Sequence, residues 1–394
     1  MATLADVPGS SGSIDSLLKL AESDIIPGIS AHDIDYYLYE RYQGKSGGLL
    51  RKAYYAAKPF LPRSVQLMLR RRYVTVQAGA AFPAWPREPV LVDLVRDVLR
   101  TALSGGAAEI RRIAPWPAAS TSAFVITHDV EWDAGLRHAP VIAELEGELG
   151  FTSSWNIVPE RYPIDWKIVD GLRAAGCEIG IHGLKHDGKL FQSRRIFEAR
   201  CARINEYARQ WNAVGFRSPS TLRNADWMPQ LQFEYDSSFP DTDPYEPQPG
   251  GCCFIWPYFL GNMVELPMTL PQDHTLFEIL GKRDIVIWKE KAEWIMQHGG
   301  LVLINIHPDY MLTEERLGFY REFLLFMKNA LGVWHALPRD VAKWWRDRDA
   351  SRIRGDGNGY SIEGPAAGRA AILQTFLSDG ELEHIPLPEM KIPS

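Results

Sequence analysis

The chain has 394 residues, 46% of them hydrophobic and 23% charged, a balance that fits an ordinary soluble protein with a sizeable core in one large or two smaller domains. A formal net charge of −6 argues against a dedicated nucleic-acid binder, whose footprint would be strongly basic overall. The four cysteines, Cys177, Cys201, Cys252 and Cys253, are too few to staple such a chain and form no C-x-x-C pair, which argues against a thiolate zinc centre and a thioredoxin-like motif and points to a reducing compartment.

The opening MATLADVPGSSGSIDSLLKL lacks a basic region followed by an apolar core, so no secretory signal is read there. No apolar run approaches the roughly 18 residues needed to cross a bilayer, and a cytoplasmic protein without a transmembrane segment is expected. Residues 1–30 read as a flexible arm, and residues 31–110 as a mostly helical, aromatic and basic region. Within it, Arg51 to Arg72 places Arg70, Arg71 and Arg72 beside aromatic residues. That pattern fits a solvated helix face or a peripheral contact with an anionic membrane carrying a lipid-linked glycan. A Pro-rich hinge at Phe82 to Pro89 precedes a helical pattern from Leu91 to Leu103, which stops at Gly105-Gly106.

From Ser122 onward, short apolar strands alternate with amphipathic helices. The strand candidates are AFVIT, FTSSWNIV, CEIGIH, AVGFR, FEYDSS, NMVELPM and LVLINIH. The helix candidates between them are Val141 to Leu149, Trp166 to Ala175, Phe197 to Trp211, Ile287 to His298 and Glu314 to Leu331. This alternation predicts an α/β fold over residues 111–345, an incomplete (β/α) barrel of about seven strands, followed by a C-terminal tail over residues 346–394.

In such folds functional groups gather where strands end. The first strand ends in His128-Asp129-Val130-Glu131, and the third in His182-Gly183-Leu184-Lys185-His186. The fourth ends in Arg217-Ser218-Pro219 and the last in His307-Pro308-Asp309. A four-residue spacing would put His182 and His186 on one face of a helical turn, close enough to share a metal or simply to cap the turn. Two imidazoles and one carboxylate, with a position open for water, form a catalytic zinc set. Asp129 and Glu131, two residues apart, would point the same way on extended backbone, one as ligand and the other as proton acceptor. His307 has the chemistry of a general acid for a leaving amine, and Arg217 that of a fork orienting a carboxylate; a satisfied core histidine and a structural ion pair are the bland readings. Trp155, Trp227, Trp256 and Tyr258 could stack on sugar rings or simply fill the core.

These strand ends, taken in order over roughly residues 120 to 335, resemble the polysaccharide deacetylase (nodulation-protein B homology) family, carbohydrate esterase family four. THDVE at Thr127 to Glu131 looks like its first motif, HGLKH at His182 to His186 its paired metal histidines, FRSPS at Phe216 to Ser220 its arginine-proline motif, and INIHP its final histidine motif. YDSSFPDTDPY, with Asp236, resembles the stretch between the last two. Where the family has adjacent aspartates this chain has Val130, so the ligand shifts to Glu131, with Asp129 or His128 as alternatives; Ser220 stands where glycine is usual.

The resemblance implies a divalent ion, expected to be zinc, on Glu131, His182 and His186. Asp129 would be the base, His307 the acid and Arg217 the residue orienting Asp129, with Pro219 and Asp236 at the carbohydrate; Trp256 joins them there as a candidate on its aromatic ring alone. The implied reaction is removal of an N-acyl group from an amino sugar of a bacterial surface polysaccharide or its precursor. The alternatives are an allantoinase-like hydrolase of ureide C–N bonds and a catalytically silent glycan-binding module.

Overall fold

The computed structural model describes residues 17–19, 31–43, 72, 74, 77, 79, 81–355 and 359–387. The expected arm over residues 1–30 and the basic segment Arg51 to Arg72 therefore lie almost wholly outside the described residues.

Short runs rich in β-branched and aromatic residues, each bounded by glycine, proline or polar clusters, form the strands. They are β1 (Ile110–Ile113), β2 (Ser122–Val130), β3 (Ser154–Ile157), β4 (Glu178–His182), β5 (Gly215–Arg217), β6 (Tyr235–Asp236), β7 (Tyr258–Leu260), β8 (Met263–Glu265), β9 (Leu301–Ile306) and β10 (Val333–His335). Four more follow: β11 (Arg352–Gly355), β12 (Tyr360–Glu363), β13 (Ile372–Ser378) and β14 (Glu381–Pro386). The helices are α1 (Ala31–Leu38), α2 (Val90–Ser104), α3 (Asp133–Glu148), α4 (Trp166–Ala174), α5 (Arg194–Trp211), α6 (Val286–Gln297), α7 (Glu314–Lys328) and α8 (Pro338–Asp349). Their ends carry ordinary signals. Ser193 and Thr313 cap α5 and α7 through their hydroxyls, and Asn212 ends α5 in the left-handed conformation that asparagine tolerates.

All seven expected strand units are present. β9, β2, β3, β4, β5, β6 and β8 run parallel in that spatial order. β10 adds a parallel strand beside the start of β2, and β7 an antiparallel one beside β8. The gap between β8 and β9 is bridged by irregular chain, where Leu270 donates its N–H to the Leu303 carbonyl. The result is an incomplete α/β barrel, as expected.

Side chains alternate across each strand, so register decides which residues face inward. Thr127 and Asp129 on β2 stand beside Asn305 and Asn156. Gly180 and His182 follow on β4, with Arg217 paired to His182 on β5. Arg217 reaches across to Thr127 Oγ1 at 3.1 Å, and Tyr235 to Ser154, so these residues share the interior. The other parity, including Ile126, Ile157, Ile181, Phe216, Ile304 and Ile306, is apolar and buried under the helices. Polar groups inside the barrel need room, and glycine supplies it. A Cβ on Gly215 would sit 2.0 Å from the Tyr235 ring, and one on Gly180 2.2 Å from Asn156 Oδ1.

Residues flanking the barrel join each other. β13 and β14 form a hairpin, and β13 pairs antiparallel with β1. Its turn, Asp379-Gly380, has both residues at positive φ (51° and 83°), the conformation that Asp-Gly favours in a two-residue hairpin loop. At the other end of the chain, Tyr42 donates to the Gly251 carbonyl at 2.6 Å, and Glu40 and Arg223 form a buried two-pronged ion pair. Residues 31–43 are thereby fastened to the loop preceding β7. No helix among the described residues is long and apolar enough to cross a membrane.

Candidate active site

The parallel register delivers Asp129, His182 and Arg217 to one end of the barrel, where β2, β4 and β5 finish. Glu131 lies one residue past β2, and His307 directly follows β9. Ligand atoms of Glu131, His182 and His186 all lie within 4.8 Å of one another, the one such His/Cys/Asp/Glu group among the described residues.

His182 and His186 come together by a different route from the one expected. Residues 183–189 form bends rather than a helical turn. Gly183 (φ 61°) and His186 (φ 49°) are both left-handed, and this folds the loop back so that the two ring centroids lie 5.1 Å apart. Gly183 cannot be larger, because its Cβ would strike the Pro219 ring at 2.4 Å. Arg161 holds the loop from the other side, donating to the His186 carbonyl at 2.6 Å.

The three groups fit a metal ion. His182 Nδ1 lies 3.1 Å from the Arg217 carbonyl oxygen, which takes its proton and leaves Nε2 as the free lone pair. That Nε2 is buried with no hydrogen-bond partner. His186 Nε2 is 2.9 Å from Glu131 Oε1 yet lacks the alignment of a hydrogen bond. Two buried imidazole nitrogens without donors, beside a carboxylate, match a two-His-one-carboxylate ligand set. Burial pushes the Glu131 carboxyl up, but His186, with His307 and His182 behind it, reverses this and holds the group well below the usual carboxylate range. Its other oxygen accepts from Tyr310 at 3.3 Å.

Asp129 is buried and flanked by two amides. Asn156 Nδ2 donates to Oδ1 at 3.0 Å and Asn305 Nδ2 to Oδ2 at 2.9 Å. Arg217 Nη1 stands 3.7 Å from Oδ2, an ion-pair distance; its hydrogen bonds go to Thr127, Ser237 and the Met268 sulfur. Arg217 thus supplies field, while the two asparagines supply orientation. Desolvation raises the Asp129 carboxyl, but His182, Arg217, His307 and the Asn156 bond together hold it at about 2. Asn305 also donates to Gln272, and Gln272 donates to the buried Glu246 at 3.0 Å, so the bracket extends into the loop after β6.

His307 is oriented by a residue that sequence reasoning missed. Asp273, just before a π-helical turn at His274–Ile279, lies 2.6 Å from His307 Nδ1. Burial pulls the imidazole down, but Asp273, and after it Glu131 and Asp129, raise it to about 10. Asp309, marked in the sequence at the end of the last strand, has a role that its position there did not reveal. It accepts the backbone N–H groups of Glu131 and Gly135 at 2.9 Å each, fixing the turn from β2 into α3.

No family model matches the chain, and no curated protein matches it. Among solved structures it is similar to a protein assigned as a polysaccharide deacetylase from Mycobacterium smegmatis, at 19% identity over 59% of this chain and 92% of that one, with a TM-score of 0.48. The Puue allantoinase is similar at 16% identity, over 59% and 93% of the two chains, with a TM-score of 0.47. A protein assigned as a polysaccharide deacetylase from Pseudomonas aeruginosa is similar at 16% identity, over 59% and 94%, also at 0.47.

Other expected site residues are placed elsewhere. His128, an alternative ligand, has the opposite strand parity from Asp129; it stacks on Trp155 and lies 2.7 Å from the buried Glu146 on α3. Asp236 is likewise on the outer parity, packed against Glu265 and bonded to Ser238; burial pushes both carboxyls up, as expected of two acids sharing one proton. Trp256 is buried and donates to the Gly299 carbonyl, which lies before β9, whereas His307 lies after it; the length of that strand, about 20 Å, separates Trp256 from the site. Pro219 packs on Gly183 and supports the histidine loop. Ser220 adopts φ 54°, the conformation glycine would take most easily. All four cysteines are buried and unpaired.

Proposed function

We propose that the chain is a metal-dependent hydrolase that removes an N-acyl group, acetyl in the simplest case, from an amino sugar of a bacterial surface polysaccharide or its precursor. The observation that carries this reading is the convergence of Glu131, His182 and His186, beside an Asp129 carboxyl held low and a His307 imidazole raised by its acidic neighbours. Pairs of titratable groups driven apart in this way divide the work of base and acid.

Zinc held by Glu131, His182 and His186 would supply Lewis acidity, polarising the acyl carbonyl and acidifying a water. Asp129, fixed between Asn156 and Asn305, accepts the proton of the attacking water. His307 keeps Nδ1–H on Asp273 and presents Nε2–H to the departing nitrogen. As the C–N bond breaks, that proton passes to the amine, and the acyl group leaves as a carboxylic acid. After His182, the nearby Arg217 guanidinium does most to hold the buried Asp129 carboxyl low.

The test joins metal content to acetate release from N-acetylated oligosaccharides. A His182→Ala/His186→Ala double variant should lose both together. Full activity in the metal-free double variant would overturn the reading. Allantoin cleavage by the wild type without acetate release would reassign it to the ureide hydrolases.

A further inference from the structure

We propose that Trp132 is a stacking platform at the rim of this site, taking the apolar face of one pyranose ring of the glycan. The inference rests on the carbohydrate reading above and assigns a residue for ring recognition.

Three of the four aromatic residues marked in the sequence for sugar stacking, Trp155, Trp256 and Tyr258, are buried, and Trp227 packs against Phe191 and Phe197. Trp132 is different. It is 51% exposed, more than any other aromatic among the described large exposed hydrophobic residues. Half of its apolar surface is left in water, where a ring laid on it would gain by covering it.

Its position is fixed rather than incidental. Trp132 directly follows Glu131 and occupies the N-cap of α3 on extended backbone. The guanidinium of Arg161 lies 3.5 Å from the ring centroid, covering one indole face. The same guanidinium donates to the His186 carbonyl at 2.6 Å. One planar cation therefore ties the indole to the loop of one candidate ligand, while the peptide bond ties it to another. With one face covered and half the residue exposed, the open face is on offer beside the reacting groups.

A pyranose ring suits that face. It presents C–H groups on a flat side and hydroxyls around its edge, so it covers an indole while its polar groups stay hydrated or meet the rim. Tyr310, whose hydroxyl is 3.3 Å from Glu131 Oε2, lies on the Glu131 side of that rim. A neutral aromatic face selects for ring shape rather than charge.

The test separates binding from turnover. The full chain, stripped of metal with a chelator, is assayed for binding to chitotetraose and an array of N-acetylated bacterial surface oligosaccharides. The wild type should bind at least one of them. Trp132→Ala should weaken that binding by about tenfold or more, and Trp132→Phe should keep most of it, with melting temperature and metal uptake unchanged in both. Equal binding by Trp132→Ala, or no glycan bound by the wild type, overturns the platform. Adding metal back and measuring acetate release reports on the hydrolase separately. A glycan bound through Trp132 but never deacylated sinks the hydrolase and leaves the platform standing; deacylation indifferent to Trp132→Ala does the reverse.

Discussion

Asp273 places both of its carboxylate oxygens on His307, one 2.6 Å from the ring Nδ1 and the other accepting the backbone N–H at 3.0 Å. Asp273→Asn keeps the shape and removes the charge that most strongly opposes desolvation at His307. The imidazole should then titrate well below the wild-type value of about 10, with kcat lower by roughly 10²-fold or more and KM little changed. Side-chain NMR titration of His307 in the metal-free protein checks the first part. An unshifted titration would refute the assignment.

Gly180→Ala tests the amide bracket on Asp129. The new Cβ would lie 2.2 Å from Asn156 Oδ1, so Asn156 must turn away and drop its 3.0 Å bond to Asp129. Overpacking of this kind costs about 1–3 kcal/mol. Denaturant midpoints should show that loss, and Gly180→Ala/Asn156→Ser should recover part of the stability but none of the activity.

Glu178 makes stability depend on pH. It is buried deeper in the barrel than the candidate site, accepting from Tyr235 at 2.8 Å, and desolvation pushes its carboxyl from 4.5 to about 7 against that bond. The folded state therefore holds the proton more tightly than the unfolded one. The resulting stability is fully present below pH 4.5 and is lost as pH rises through about 7, amounting to on the order of 3 kcal/mol. Glu178→Gln should flatten that part of the profile; equal slopes in both proteins between pH 4.5 and 7 would count against it.

Lys291 and Asp241 form a buried pair at 2.8 Å, and burial still raises Asp241 to about 6 despite the lysine. Lys291→Met should destabilise by about 3–5 kcal/mol, because it strands a carboxyl among apolar groups. Lys291→Met/Asp241→Leu should cost much less. Chemical denaturation of the two variants decides whether the penalty comes from the unpaired acid.

The barrel was legible because its strands and helices are local patterns, and the groups at its rim follow those strands directly in the chain. Asp129, His182, Arg217 and His307 could be found in this way. Asp273 could not, since it opens a single π-helical turn, too short for a hydrophobic period to mark it. Asn156 and Asn305 are neutral amides inside apolar strands, and only the parallel register shows that they meet Asp129. Spacing alone predicts a helical turn at HGLKH, because it carries no sign of the positive φ at Gly183 and His186. Trp256 differs from expectation for a related reason: an aromatic residue looks alike in sequence at either end of a barrel. The C-terminal hairpin does carry a local signal, the Asp379-Gly380 pair between two runs of strand-forming residues.

That hairpin has a practical side. β13 covers the hydrogen-bonding edge of β1, a strand that enters the fold more than two hundred residues earlier. A shortened version ending after α8 would retain every group of the candidate site yet leave β1 without its neighbour, a bare template for self-association. Expression trials that trim the C-terminal region as dispensable should therefore produce an intact candidate site in an insoluble shell.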